Sequence, residues 1–162
     1  GLDYFERSIE RYPTALCYRN LAVYWNTEKE AARAHEYATR AIEIDPGDPY
    51  NQVFYSVFLL LDGKAEAAAR RIASVPHDPS MSYNLACYHA LRGERDLALG
   101  FLRRHFHDYE RYDRVRRFEM AEARMDANFS SLMDDEGFLA LTAAGAQALE
   151  AESAWSATPG GR

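Results

Sequence analysis

The sequence predicts an all-α protein made of stacked helix-turn-helix units, with at least about seven helices and no sheet. Three observations carry this. Between Ala15 and Pro46, small and large residues recur at helical intervals: Tyr18, Leu21, Ala22 and Trp25, then Ala34, Ala38 and Ala41. The arrangement returns twice further along, with Gly63 and Gly93 at matching places where a helix must stop and reverse. Nowhere do apolar and polar residues alternate as they do in a half-buried strand.

Taken in order, residues 1–14 carry Tyr4-Phe5-Glu6-Arg7-Ser8-Ile9-Glu10-Arg11-Tyr12-Pro13, which reads as the second helix and closing proline of a preceding unit. The expectation is that the chain as given starts inside a longer array. Residues 15–48 make the first full unit. Ala22 and Ala34 face each other across its two helices, where anything larger than a methyl would force them apart, and Tyr18, Leu21 and Trp25 fill the space toward the neighbouring unit. Pro46 ends the second helix because proline lacks the amide donor and clashes with the preceding turn, and Asp45-Pro46-Gly47-Asp48-Pro49 is the connection. Residues 49–78 repeat the pattern with Tyr55, Ser56, Leu59, Gly63, Ala68 and Ile72, and their second helix ends early, at Val75-Pro76. Residues 79–108 repeat it with Leu85, Ala86, His89, Gly93, Ala98 and Leu102.

Over roughly residues 2 to 108 this pattern resembles the tetratricopeptide repeat family. The departures are Trp25 where tyrosine is usual, Lys29 in place of a turn glycine, and His105 where a small residue is expected. The resemblance implies a right-handed α-solenoid whose first helices line a concave groove that holds another polypeptide. On that register the groove would present Leu16, Arg19, Val23 and Asn26, then Tyr50, Val53, Val57 and Leu60, then Ser80, Tyr83, Cys87 and Ala90. Any one of these could instead pack on a neighbouring repeat or on a carboxyl-terminal helix folded into the groove. Val57, in the middle of the central repeat, is expected to meet any ligand lying there. Some family members clamp the carboxylate at the end of a heat-shock chaperone with cations and asparagine. The matching places here are Arg19 with Val23, Phe54, and Ser80 with Asn84, so only Arg19 and Asn84 fit, and no such clamp is expected.

Residues 109–155 are expected to be carboxyl-terminal helices and a cap. Tyr109 to Met125 reads as an amphipathic helix too charged to be buried, with Tyr112, Val115, Phe118, Met120, Ala121 and Met125 among arginines and glutamates. The series Asp126, Phe129, Leu132, Asp135, Phe138, Leu141 is similar to a tail seen after many bacterial tetratricopeptide arrays, and would bury its phenylalanines to close the open end. Ala143 to Ala154 extends a last helix, and residues 156–162 form a disordered tail.

Composition fits one water-soluble domain, since 162 residues, 48% of them hydrophobic, suffice for a core, and the longest apolar run, Val53 to Leu61, is far short of the roughly 20 residues of a membrane span. A net charge of -6 repels nucleic acid. Arginines and aromatics do mingle between Arg103 and Arg117, but Asp108, Glu110, Asp113 and Glu119 lie at spacings that allow internal ion pairs, so no nucleic-acid binding is expected. Cys17 and Cys87 read as reduced packing residues, which points to the cytoplasm, although a chain beginning within a repeat says nothing of a signal peptide trimmed from it. Arginine far outnumbers lysine, with only Lys29 and Lys64, as in a bacterial genome rich in G and C.

Chemistry-bearing motifs are sparse. His105-x-His107-Asp108 lacks the i, i+4 spacing that converges two histidines on a metal, so no metal or other cofactor is expected. Asp134-Asp135 beside Glu136 reads as a helix start rather than a catalytic carboxylate pair. No phosphate loop, nucleophile elbow or His-Glu-x-x-His helix occurs. The sequence therefore predicts a non-enzymatic adaptor or scaffold that binds a peptide or helix of a partner protein. The alternatives are a self-assembly module forming homo-oligomers through its amino-terminal half-repeat or groove, and a regulatory domain of a larger enzyme or signalling protein.

Overall fold

The computed structural model describes residues 2–147, and every element among them is helical. In chain order these are α1 (Leu2–Arg11), α2 (Ala15–Thr27), α3 (Ala31–Ile44), α4 (Pro49–Leu61), α5 (Ala65–Ala73), α6 (Ser82–Leu91), α7 (Arg95–Arg103), α8 (Asp113–Ala123) and α9 (Glu136–Leu141). Short 3-10 segments at Pro79–Met81 and Ala127–Leu132 and a π-turn at Arg104–Tyr109 join them. Residues 143–147 are again helical, while the rest of the expected last helix and the whole expected tail lie outside the described residues.

Helix starts and reversals are made by different chemistry. Ahead of α2 the Thr14 hydroxyl accepts from the Cys17 amide at 3.2 Å, and ahead of α4 the Asp48 carboxylate accepts from Tyr50 at 3.0 Å, with Pro49 in the first helical turn. Asp78 does the same for Ser80 at 2.8 Å. Inside each pair the reversal is a left-handed residue: Lys29 (φ 62°), Gly63 (φ 76°) and Gly93 (φ 74°). Beyond it, the next amide donates back to a carbonyl five residues earlier, Glu30 to Trp25 at 2.9 Å, Lys64 to Leu59 at 2.8 Å and Glu94 to His89 at 2.9 Å. Lys29 thus makes the same turn as the two glycines, without their freedom from a Cβ.

The chain forms two compact units, one ending at Asn84 and one beginning at Leu85. In the first unit, Ala22, Ala34 and Ala38 are buried with Phe54 and Phe58, and Trp25, Tyr37, Tyr50 and Tyr55 pack around them. The alanines bring α2 and α3 close, and the rings fill what is left: Phe54 and Phe58 lie 5.1 Å apart, and Tyr18 stacks on Tyr37 at 6.2 Å. Deleting such a ring would cost about 3–5 kcal/mol through lost burial and the cavity left behind.

In the second unit Leu85, Ala86, Ala98, Leu102, Phe106, Phe129 and Phe138 are almost fully buried. Phe129 and Phe138 pack at 5.7 Å with Leu132 also buried, while Leu141 is only half-buried. Asp135, not Asp134, starts α9, accepting from Gly137 at 2.9 Å and Phe138 at 3.1 Å. The same carboxylate pairs with Arg95 at 3.0 Å, and that pairing, with the helix amides, holds it below the usual carboxylate range. The expected helix from Tyr109 to Met125 is shorter than the periodicity suggested. A π-turn ends at Tyr109, the Glu110 amide reaches back to His105 at 2.8 Å, and α8 begins only at Asp113. Nor is α8 free of the core, because Met120, Ala121 and Ala123 are buried.

Candidate functional site

The residues expected to line a groove divide into three groups. On α2, Leu16 (57% exposed) and Val23 (53%) stand in solvent, while Leu21 and Ala22 on the other side of the helix are buried. Arg19 and Asn26 complete that outward stripe and are half-buried. Positions 16, 19, 23 and 26 follow the i, i+3, i+7, i+10 spacing of one helix face. Arg19 reaches from it to α4: its guanidinium lies 4.6 Å from the centre of the Tyr50 ring and donates to the Asn51 side-chain oxygen. Asn51 in turn donates to the Asp45 carbonyl at 3.1 Å, so the guanidinium is tied into a network joining α2, α4 and the connection before α4. A cation so engaged is no free carboxylate clamp, and Phe54, at another of the clamp positions, is buried.

On α4 the expectation for Val53 and Val57 is corrected. They are 0% and 4% exposed and belong to the interior. The reason is in the composition of α4, whose Asn51, Val53, Phe54, Ser56, Val57, Phe58 and Leu59 are all buried; a helix apolar on every side is covered on nearly every side. Arginine at Val57 would test folding and not binding. Tyr50 and Leu60, at the ends of α4, remain half-buried, as do Ser80 and Tyr83.

On α6, Cys87 and Ala90 are likewise corrected, at 2% and 3% exposed. Here the covering segment is known. The Cys87 thiol lies 3.8 Å from an Asp126 carboxylate oxygen, and the Ser131 hydroxyl is 3.4 Å from the Ala90 carbonyl, so the stretch that buries Phe129 and Leu132 lies across this face of α6. Burial first, and then the Asp126 carboxylate, pushes the Cys87 thiol well up, which leaves it an unreactive packing group.

Two histidine–carboxylate pairs in the second unit escaped the sequence reading. His89 Nδ1 lies 2.6 Å from Glu94, across the Gly93 turn, with its ring stacked on Phe101 at 5.3 Å. The hydrogen bond to His89, helped by Arg92 against some desolvation, holds the Glu94 carboxyl below its usual range. His105, buried within the π-turn, places its Nε2 2.8 Å from Glu119. Only the His89 pair left a signal, a histidine and a glutamate five apart across a turn glycine. His107 and Asp108, by contrast, are exposed and diverge from His105. Arg116 and Arg117 are held by Asp113 at 2.6 and 2.8 Å, the internal pairing their spacing allowed. A depression of about 610 Å³ lined by Arg103, His107, Met120, Leu141, Ala144 and Gln147 among others is broad and open, unlike a site that excludes water.

No match to a known protein decides between these surfaces. Searches of family models, curated proteins and solved structures match nothing to this chain. Its side chains place one exposed apolar stripe on α2, beside an aromatic and a fixed cation, and withdraw Val53, Val57, Cys87 and Ala90 from any groove.

Proposed function

We propose that the protein is a non-catalytic interaction scaffold or adaptor of the tetratricopeptide type, a right-handed α-solenoid that binds a helix or extended apolar segment of a partner protein. The observation that carries this reading is the α2 stripe, where Leu16 and Val23 stay in water beside Tyr50 and Arg19 although the chain has ample core. Support for the repeat assignment comes from the left-handed turns at 29, 63 and 93, which recur near the family's period of about 34 residues. Cys17 and Cys87, the chain's two cysteines, are not joined in a disulfide, which supports a cytoplasmic setting.

A partner helix laid on the stripe would bury Leu16 and Val23 against its own apolar face, with Arg19 kept in place by Tyr50 and Asn51. To test this, a photoreactive benzoylphenylalanine is placed at Val23 and, as a control, at Glu66, which stands exposed. Captured proteins are identified by mass spectrometry and their affinity measured for the parent and for Leu16→Arg/Val23→Arg. The double variant is expected to bind at least about tenfold more weakly, or about 1.4 kcal/mol. Equal capture at both positions, or equal affinity of a folded double variant, would refute the reading.

A further inference from the structure

The outward face of α8 lies in the second unit and has no part in the α2 stripe. At its centre stands Phe118, 60% exposed, with Val115 (42%) beside it and Met125 (68%) beyond the end of the helix. Arg114 is one turn before Phe118 on the same face and Glu122 one turn after, both exposed. Neither takes part in an ion pair among the described residues, whereas neighbouring Arg116 and Arg117 are both taken by Asp113. Asp113 apart, the charges on this face run against the helix's own dipole, with a cation at the positive end and a carboxylate at the negative end. Partial desolvation first, and then the like charges of Glu119 and Asp126, push the Glu122 carboxyl above the usual range.

A ring flanked at equal distances by opposite charges is complementary to itself. We propose that α8 packs antiparallel on α8 of a second copy of this chain, in a two-fold contact centred on Phe118 that sets Arg114 of each copy against Glu122 of the other. In a two-fold contact each position meets the one equally far on the other side of the centre. Four residues correspond to about 6 Å along each axis, so both charge pairs come level at once. The antiparallel arrangement also sets each helix's dipole head beside the other's tail, which answers the charge order that α8 tolerates alone. A second copy meets all three demands, an apolar centre and two opposite charges at fixed equal spacing. Only about three turns of helix take part, so the area is below that of a standard stable interface, and the association is weak and concentration-dependent.

Sedimentation equilibrium of the whole chain at low salt, from about 10 to 500 µM, tests this. The parent is expected to rise toward twice its monomer mass, while Arg114→Glu and Glu122→Arg each stay monomeric. An equimolar mixture of these two variants restores both charge pairs across the contact, and is expected to associate at least about tenfold more tightly than either alone. Phe118→Ala weakens every combination. Since all three positions are exposed, melting curves should show each variant folded. A parent that stays monomeric, single variants that dimerise like the parent, or a mixture no tighter than its components would each overturn the proposal and leave the α2 reading untouched.

Discussion

Lys29 holds a backbone conformation that Gly63 and Gly93 hold without cost, and replacing it with glycine should stabilise the protein. A residue with a Cβ loses roughly 1–2 kcal/mol in the left-handed region. Glycine's greater freedom in the unfolded chain returns about 0.5–1 kcal/mol of that, so Lys29→Gly is expected to gain about 0.5–1 kcal/mol. For a chain of this size the melting temperature should rise by about 1–4 °C. Lys29 is exposed and its side chain makes no hydrogen bond or ion pair among the described residues, so little is lost with it. The mirror experiment lies in the same unit: a Cβ built on Gly63 meets nothing within 4 Å, so Gly63→Ala isolates the backbone term and should destabilise by about 1 kcal/mol. Urea titrations followed by circular dichroism, with a shared slope, measure both. If Gly63→Ala costs what is expected and Lys29→Gly gains nothing or destabilises, the strain assigned to Lys29 is not there.

Two further substitutions probe the second unit. Phe138→Ala removes a fully buried ring packed on Phe129 and is expected to cost about 3–5 kcal/mol, less if the site collapses; an unchanged melting temperature would refute the cap. Glu122→Gln tests electrostatics: because the folded state raises this acid's pKa above 4.5, its favourable contribution is present at low pH and lost as pH rises through the raised value. The variant should therefore melt higher than the parent at pH 7 and match it near pH 3.5, and a gap of the same size at both would show that charge is not the cause.

How much of this was legible depends on the range of the interaction concerned. Helix limits around α2 to α5 follow from prolines, glycines and the small residues Ala22, Ala34 and Ala38, all of which act on near neighbours. Periodicity says which side chains share a face and not how many faces are covered. The helical register puts Val53 and Val57 on a groove face, but Phe54, Phe58 and Leu59 on the remaining sides mark α4 as a helix covered all round. Cys87 could not have been placed by any local pattern, since its cover comes from Asp126, 39 residues downstream. The start of α8 was missed for a similar reason: the π-turn through His105 answers to Glu119, and the local sequence carries no mark of it.

The cover over Cys87 has a use as a clock. A thiol-specific reagent needs both access and thiolate, and here burial denies it both. Modification of Cys87 must wait until residues 126 to 132 lift away from α6. The rate of labelling, set against that of a free thiol at the same pH, then reads the opening free energy of that contact alone. The molecule thus carries its own gauge of how firmly its carboxyl-terminal segment stays shut.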